Sequence, residues 1–298
     1  MKIIIADEME KEVVEEIKKL GTVVYKPTST DLPKELADAD VLIVRSATKV
    51  TRELVSNAKQ LKLVARGGVG LDNVDAVACK EKGIKVVNTP GASSNAVAEL
   101  ALTLIMAGFR NVPKAHHLMK GGIWDKKNLG GREIEGKTLG IIGYGRIGSM
   151  LGKKAKALGM KVIAYSPPPR HDDGNAEFVD DLDLFFSMSD VFSIHVPLLD
   201  STKNMINKDS IAKMKNGAFI VNTSRGEIID DDALYEACKS GKLLGAALDV
   251  YREEPYKGKL LELDNICFTP HLGASTKEAQ GRIGGELVKI IKTELEKV

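Results

Sequence analysis

Short apolar runs alternate with amphipathic segments through the first ninety residues. Runs rich in Val, Ile and Leu predict strands at 2–7, 22–27, 39–46, 61–66 and 84–90. Helices are predicted between them at 9–21, 51–59 and 74–83. Regular alternation of strand and helix is typical of a parallel sheet with helices on both faces.

A long apolar helix follows, predicted from Ser93 or Ser94 to about Phe109. It is apolar nearly all round, so we expect it to be buried. Beyond it, strands are predicted at 139–142, 160–166, 191–197, 216–222, 243–249 and 265–271, helices at 181–190 and 231–241, and a final amphipathic helix from Lys277. The second part of the chain therefore also predicts a parallel sheet.

The strand at 139–142 leads into the spacing G-x-G-x-x-G, formed by Gly143, Gly145 and Gly148. Such a turn lets backbone approach a pyrophosphate, and the amides at the start of the next helix favour its negative charge. The spacing alone also fits a glycine-rich surface turn. The carboxyl ends of the other strands help to distinguish these interpretations.

Three polar groups follow successive strands, namely Arg225, Glu254 and His271. Carboxyl ends of parallel strands share one edge, so we expect these groups to face one crevice. Arg225 would bind a substrate carboxylate and polarise the adjacent carbonyl. His271 would transfer the hydroxyl proton, and Glu254 would hold its imidazole. Each residue alone has another interpretation. Arg225 could form a surface salt bridge, Glu254 could be a solvated acid in a loop, and His271 could be a core histidine.

The first sheet also ends in candidate anion ligands. Arg45 and Lys49 follow the strand at 39–46, and the glycine turn Gly67–Gly70 follows the next strand. Arg binds carboxylate or phosphate with a planar fork, and turn amides add further donors. A solvated strand end is the alternative for Arg45 and Lys49.

Composition removes several classes of protein. The 298 residues carry 43 basic and 41 acidic side chains, too balanced for a nucleic-acid or membrane-surface protein. The three cysteines, Cys79, Cys238 and Cys267, show no spacing typical of zinc or of a disulfide framework. We see no leader or membrane span and expect a cytoplasmic protein without a metal.

The choice of dinucleotide stays open. An acidic residue is expected about 20 residues after the glycines, where it would hold the ribose hydroxyls. Ser166 stands there instead, followed by Arg170 and His171, so NAD is expected but NADP could bind.

His195 is interpreted as a structural histidine at a strand end, and His116 and His117 as surface residues.

Seven segments in order along the chain resemble one known family. They are VRSATKVT (44–51), RGGVGLDNVD (66–75), NTPGASSNAVAE (88–99), GKTLGIIGYGRIG (136–148), VNTSRG (221–226), GAALDVYREEP (245–255) and PHLGASTKEAQ (270–280). The chain is similar to the D-isomer 2-hydroxyacid dehydrogenases, and within them to the branch that acts on D-3-phosphoglycerate. The resemblance implies an α/β fold of two doubly wound parallel-sheet domains. A flavodoxin-like substrate domain (1–93 plus 274–298) would carry an inserted Rossmann NAD(P)-binding domain (94–273).

The resemblance also implies roles for individual residues. Arg225, Glu254 and His271 would be catalytic. The implied cofactor contacts are Gly143, Gly145, Arg146, Ile147, Gly148, Ser166, Val196, Pro197, Thr202, Thr223, Ser224, Asp249, Gly273 and Ala274. The implied substrate contacts are Arg45, Ser46, Lys49, Gly68, Val69 and Asn95.

The implied reaction is hydride transfer between a nicotinamide cofactor and D-3-phosphoglycerate or 3-phosphohydroxypyruvate, in serine synthesis. The alternatives are a glyoxylate or hydroxypyruvate reductase and, in another class, a non-catalytic sensor of NAD(H). A homodimer is implied, in which an arm around Trp124 reaches across to the partner. We hypothesise that Lys126 and Lys127 then add positive charge to the partner's site. Because the sequence stops at Val298, we expect no serine-sensing domain.

Overall fold

The computed structural model describes residues 1–27, 29, 31–170 and 172–296, so His171 lies outside the described residues. The chain divides into two compact units, Met1–Ser93 with Ala274–Val298, and Ser94–Gly273. The first unit begins with β1 (Lys2–Ile5), α1 (Lys11–Lys18), β2 (Thr22–Tyr25), α2 (Leu32–Glu35), β3 (Val41–Val44), α3 (Arg52–Asn57), β4 (Leu63–Arg66), α4 (Ala76–Glu81) and β5 (Lys85–Asn88).

The five strands of the first unit form a parallel sheet in the order β2-β1-β3-β4-β5. This is the flavodoxin-like order, in which the direction of winding reverses between β1 and β3. The central strand β3 is fully buried as Val-Leu-Ile-Val, because helices cover both faces of the sheet. Ligands of such sheets bind at the carboxyl edge beside the reversal.

The second unit holds the remaining strands. Its elements are α5 (Ser94–Phe109), α6 (Val112–Lys120), β6 (Thr138–Ile142), α7 (Arg146–Ala157), β7 (Lys161–Tyr165), β8 (Glu177–Phe178), α8 (Leu182–Met188), β9 (Val191–Ile194), α9 (Lys208–Lys213), β10 (Ala218–Asn222), α10 (Asp231–Lys239), β11 (Leu243–Leu248) and β12 (Ile266–Phe268). The last helix, α11 (Lys277–Leu295), returns to the first unit.

The second sheet is parallel, with the order β12-β11-β10-β9-β6-β7-β8. Its winding reverses between β6 and β9, as in a Rossmann fold, and the glycine turn follows β6 at this reversal. Strands β10, β11 and β12 are direct neighbours. The residues that follow them therefore share one edge, as the sequence predicted.

The structure confirms the predicted pair of parallel α/β sheets and departs from the sequence analysis in several details. Helix α5 is buried along most of its surface, as expected, but Glu99, Thr103 and Met106 form an exposed stripe along it. Glu99 and Thr103 are polar, which accounts for their exposure, whereas Met106 is apolar and is 45% exposed. Elements α2, α6, β8 and α9 were not predicted, since each is short or weakly patterned.

One bent pair of helices has the length and composition of a membrane span. It consists of α5 and α6, which meet at 65°, and no single helix among the described residues passes the same test. Eight residues of α5 are buried within the structure, including Leu104, Ile105 and Phe109. Burial of this kind accounts for the apolar composition of α5.

Substitution of Phe185 tests the core of the second unit. Phe185 is fully buried and packs its ring 5.9 Å from those of Phe186 and Phe192. Phe185→Ala should lower the free energy of unfolding by about 3–5 kcal/mol. Leu184→Ala, a 51% exposed neighbour on the same helix, should cost about 0.5 kcal/mol or less. Urea unfolding followed by circular dichroism measures both, and equal losses would contradict this packing.

Candidate active site

The glycine turn joins β6 to α7 by close packing of backbone. Gly143 has φ 91°, and a Cβ there would lie 2.5 Å from the His195 carbonyl oxygen. A Cβ on Gly148 would lie 2.3 Å from the Gly143 carbonyl oxygen. Gly145 precedes the first residue of α7, and a Cβ there would meet no atom within 4 Å among the described residues. The turn therefore has open space beside the helix amides, which fits the pyrophosphate of a dinucleotide.

The segment after β7 holds Arg170 in place. Its Nε donates to the Ser166 carbonyl oxygen (2.7 Å), and its guanidinium forms an ion pair with Asp180. The guanidinium also lies 5.2 Å from the centre of the Phe178 ring. The hydrogen bond from Arg170 lowers the pKa of Asp180 below its ordinary value. The arginine that could pair with a 2′-phosphate thus already binds a carboxylate.

The segments that follow β9 and β10 hold five of the predicted cofactor residues, namely Val196, Pro197, Thr202, Thr223 and Ser224. The Ser224 hydroxyl donates to the Val196 carbonyl oxygen, which ties the two segments together. The Thr202 hydroxyl donates to the Pro197 carbonyl oxygen (2.7 Å), so it stabilises its own turn. The Thr223 hydroxyl is buried and has no hydrogen-bond partner among the described residues. A buried hydroxyl in this state fits a bound polar group, such as a carboxamide.

His195 ends β9 beside the glycine turn. Its Nε2 lies 2.8 Å from the Ser193 hydroxyl, and its Nδ1 is buried without a hydrogen-bond partner in the described part of the chain. Burial lowers the pKa of His195 to about 3, so the imidazole is neutral near pH 7. These contacts agree with the interpretation of His195 as a structural residue. His116 and His117 are exposed, as expected.

His271 and Glu254 form a paired acid and base at the carboxyl edge. The His271 Nδ1 lies 2.9 Å from one Glu254 oxygen and 3.1 Å from the other. Tyr251 N–H donates to Glu254 Oε1 (3.2 Å), which orients the carboxylate. A carboxylate at Nδ1 accepts the Nδ1–H group, which fixes the neutral tautomer whose Nε2 lone pair is free to accept a proton. The pair can therefore transfer one proton through Nε2.

Asp249 positions the backbone beneath this histidine. Its buried carboxylate accepts hydrogen bonds from Leu272 N–H (2.7 Å), Gly273 N–H (2.9 Å) and the Thr269 hydroxyl (2.6 Å). His271 has φ 54°, a strained conformation that the surroundings must hold in place. Burial raises the pKa of Asp249, although these three hydrogen bonds oppose that change. Asp249 thus supports His271 by shaping its turn.

Arg225 follows β10, next to the strand that precedes Glu254. Its Nη1 donates to the Ser224 carbonyl oxygen (2.6 Å), and its own carbonyl oxygen accepts from Asn222 Nδ2 (2.8 Å). The Asn222 side chain is buried and also accepts from Ser224 N–H (3.0 Å). The predicted trio therefore lies on three neighbouring strand ends, β10, β11 and β12.

The predicted anion ligands of the first unit lie in one turn after β3. Arg45 Nη1 donates to the Glu8 carbonyl oxygen (3.0 Å), and Ser46 and Lys49 are exposed. The cations of Arg45 and Lys49 thus belong to the carboxyl edge of the first sheet. This edge is at the reversal between β1 and β3, where ligands bind in sheets of this order.

The adjacent glycine turn, after β4, uses part of its own donors internally. Gly67 N–H donates to the Val44 carbonyl oxygen (2.9 Å) and Gly68 N–H to the Thr89 hydroxyl (2.8 Å). Asn88 Nδ2 donates to the Val69 carbonyl oxygen (2.5 Å). These bonds fix the turn, so at least two of its amides hold the fold together.

Two predicted site residues have other contacts within their own units. Asn95 in the first turn of α5 donates from Nδ2 to Glu99 Oε1 (2.8 Å). The Ala274 carbonyl oxygen accepts from Gln280 Nε2 (2.7 Å). Their proposed ligand contacts stay predictions.

Comparisons with known proteins agree with this geometry. Residues 102–273 match the model of the D-isomer specific 2-hydroxyacid dehydrogenase, NAD binding domain. The chain is 54% identical over 269 residues to a hydroxypyruvate reductase of Thermotoga maritima, covering 89% of this chain and 88% of the relative. It is 46% identical to a D-3-phosphoglycerate dehydrogenase of Methanocaldococcus jannaschii, covering 98% of this chain but 57% of the relative.

The chain belongs to the D-isomer specific 2-hydroxyacid dehydrogenase family. A solved structure of the D-lactate dehydrogenase from Aquifex aeolicus, complexed with NAD and lactic acid, superposes with a TM-score of 0.87. It is 33% identical in sequence and covers all of this chain, while 96% of that structure is covered. Membership of this dehydrogenase family confirms the family resemblance predicted from the seven segments.

Sequence reasoning did not find several side chains that shape this dehydrogenase's site. Asp7 and Asn73 contact the predicted site residue Arg45, and Asp180 contacts Arg170, yet none of the three was a candidate. Asp7 stands two residues after the buried strand β1, a signal that becomes usable only once the order of the strands is known. Asn73 and Asp180 lie in polar segments that carry no such pattern.

Alanine at two glycines should separate cofactor binding from folding. Gly145→Ala should weaken NADH binding at least about tenfold, because its methyl group enters the space beside the helix amides. It should leave the melting temperature nearly unchanged. Gly148→Ala should lower the melting temperature by several degrees, because the Gly143 carbonyl oxygen lies 2.3 Å from the new Cβ. Fluorescence titration and thermal unfolding measure both; destabilisation by Gly145→Ala would contradict the assignment.

Proposed function

We propose that this dehydrogenase interconverts D-3-phosphoglycerate and 3-phosphohydroxypyruvate with NAD. The observation that carries the reaction type is the His271–Glu254 pair, with Nδ1 and Oε2 2.9 Å apart at a sheet edge. A carboxylate-supported imidazole is the group required to move the hydroxyl proton of a 2-hydroxy acid. The phosphate of the substrate is assigned from the basic turn of the first unit.

Three residues of the second unit perform the proton and charge steps. The Arg225 guanidinium binds the substrate carboxylate and polarises the C2 oxygen. In the oxidative direction, His271 Nε2 accepts the C2 hydroxyl proton as the carbonyl forms, and it returns the proton in reduction. Glu254 stabilises the imidazolium through Nδ1. The nicotinamide, when bound, accepts or supplies the hydride at C2.

NAD is proposed as the cofactor on two grounds. The matched family model is an NAD binding domain. In addition, Arg170 binds Asp180 and the Ser166 carbonyl oxygen, so a 2′-phosphate would have to displace a carboxylate from its guanidinium. Ser166 lacks the negative charge with which an acidic residue would repel the 2′-phosphate of NADP. The Arg170–Asp180 pair restores part of this selectivity against NADP, because it occupies the nearby guanidinium.

Charge favours a phosphorylated substrate. The turn at residues 45–49 carries Arg45 and Lys49, and both suit a phosphate with two negative charges. An unphosphorylated 2-oxo acid needs one carboxylate ligand, which Arg225 already supplies in this proposal. The additional cations of the first unit are then accounted for by the phosphate.

Steady-state kinetics with two substrates and two cofactors test this proposal. We expect kcat/KM for 3-phosphohydroxypyruvate to exceed that for hydroxypyruvate by at least about a hundredfold, the contribution of roughly 2.7 kcal/mol from charge-assisted contacts. We also expect NADH to be preferred over NADPH. Equal values for the two 2-oxo acids would reject the phosphorylated substrate, and a preference for NADPH would reject the cofactor assignment.

Reduction of hydroxypyruvate or glyoxylate is the second candidate function. It is favoured by the Thermotoga maritima relative, a hydroxypyruvate reductase that this chain matches at 54% identity over most of both lengths. The same trio serves this reaction, and only the use of Arg45 and Lys49 differs. The kinetic comparison above separates the two functions.

A homodimer and a role in cytoplasmic serine synthesis are part of the proposal. Trp124 is 79% exposed, with Ile123 and Met119 exposed beside it, and such an apolar set is commonly covered by a partner. Lys126 and Lys127 are exposed two and three residues beyond Trp124. In a dimer they would add positive charge to the partner's substrate site.

Replacement of His271 distinguishes an enzyme from an NAD(H)-sensing protein. His271→Gln should lower kcat by about 10²–10⁴, because the proton acceptor is lost. The NADH dissociation constant should stay within about twofold, because His271 is not among the predicted cofactor contacts. The matched control is His117→Gln, an exposed histidine on α6 that should leave both values unchanged. Full activity of the His271 variant would contradict the assigned role.

A further inference from the structure

A buried carboxylate lies directly beneath the basic turn of the first unit. Asp7 follows β1 and is 3% exposed. Its Oδ2 accepts hydrogen bonds from Arg45 N–H (2.5 Å) and Thr48 N–H (3.2 Å), and its Oδ1 accepts one from the Thr48 hydroxyl. A buried charge requires such donors to be stable. Every one of these donors belongs to the turn that carries Arg45 and Lys49.

Asn73 holds the same turn by binding the backbone carbonyl groups of the turn. Its Nδ2 donates to the Arg45 carbonyl oxygen (2.7 Å) and to the Thr48 carbonyl oxygen (2.6 Å). The Asn73 carbonyl oxygen in turn accepts from Val50 N–H (2.7 Å). The backbone of residues 45–48 is thus fixed through its N–H groups by the Asp7 carboxylate and through its carbonyl groups by the Asn73 amide.

The position of this arrangement in the sheet points to a ligand. Asp7 follows β1 and the turn follows β3, the two strands between which the winding reverses. Ligands of doubly wound sheets bind at this point. The second unit repeats the device at its own edge, where Asp249 accepts two N–H groups and a threonine hydroxyl from the turn that carries His271.

We propose that Asp7 and Asn73 are positioning residues that set the Arg45–Lys49 turn for binding the substrate phosphate. The inference rests on the proposed function, since it assumes a phosphorylated substrate. Asp7 does not itself attract the phosphate, because it carries the same sign of charge. Its effect is geometric: it fixes the backbone from which the Arg45 and Lys49 side chains extend.

This difference in sign makes the inference testable. Asp7→Asn removes a negative charge near an anion site, so electrostatics alone predicts tighter binding of phosphate. Positioning predicts weaker binding, because a neutral amide oxygen is a weaker acceptor than a carboxylate for the Arg45 and Thr48 N–H groups, and the NH2 group of Asn cannot accept the hydrogen bond that the Thr48 hydroxyl donates to Oδ1. The two explanations therefore predict changes in opposite directions.

The experiment compares variants by their preference for 3-phosphohydroxypyruvate over hydroxypyruvate, as a ratio of kcat/KM values. Asp7→Asn should lower this ratio at least tenfold through the KM of the phosphorylated substrate, with kcat for hydroxypyruvate within twofold of wild type. Asp75→Asn is the charge-matched control in the same unit. Asp75 caps α4 by accepting from Ala78 N–H (2.8 Å), a role that Asn also fills, so its ratio should not change.

A milder pair of variants covers the case in which Asp7→Asn fails to fold. Thr48→Val removes the hydroxyl that donates to Asp7 and should lower the ratio about threefold, whereas Thr48→Ser keeps the hydroxyl and should restore it. Hydrogen exchange of the peptide containing residues 45–48 gives a readout independent of substrate, and exchange should accelerate in Asp7→Asn and Thr48→Val.

Each outcome has a defined meaning. A lower ratio with faster exchange supports the inference. An unchanged or higher ratio in Asp7→Asn or Thr48→Val overturns it, even where exchange is faster. A wild-type ratio of one or less rejects the proposed phosphorylated substrate and the inference with it, and the wild-type measurement alone identifies that case.

Discussion

Parallel strands leave unfinished hydrogen bonds at their carboxyl ends, and side chains must complete them where the edge is buried. This constraint governs both units. In the second unit Asp249, directly after β11, accepts hydrogen bonds from backbone N–H groups of the turn after β12. In the first unit Asp7 accepts hydrogen bonds from backbone N–H groups of the turn after β3. The same groups that complete the fold thereby fix the turns that carry the proposed functional residues.

Carboxylates suit this task better than neutral acceptors do. One carboxylate has two oxygens and can accept several hydrogen bonds at once, which offsets the cost of burying its charge. Burial nevertheless raises the pKa of Asp249, and it would lose part of its acceptor capacity on protonation. Because burial raises this pKa above its unfolded value, the folded state binds the proton more tightly, and the titration of Asp249 contributes stability that is present in acid and is lost as the pH rises through the folded pKa. The hydrogen bonds from Thr269, Leu272 and Gly273 offset part of this loss where the carboxylate is ionised.

Local patterns in the sequence predicted the elements that make local contacts. Apolar runs located the strands of both sheets, and the spacing of Gly143, Gly145 and Gly148 located the β6–α7 turn. The trio could be predicted because each member follows a recognisable strand and parallel strands share an edge. Burial of α5 could be predicted from its composition, but its exposed stripe could not, because two polar residues in a long apolar run do not reveal which face is exposed. Short elements such as β8 and α9 have too few residues for a period to appear.

Contacts between distant parts of the chain could not be predicted in the same way. Asp7 and Arg45 are 38 residues apart, and Asn73 lies 28 residues from Arg45. An acidic side chain after a strand is as consistent with solvent as with a buried turn until the order of the strands is known. The order β2-β1-β3 brings β1 beside β3, and only then does Asp7 become the nearest acceptor for the turn. Winding order, which composition does not encode, therefore decides which polar residues position the chemistry and which remain solvated.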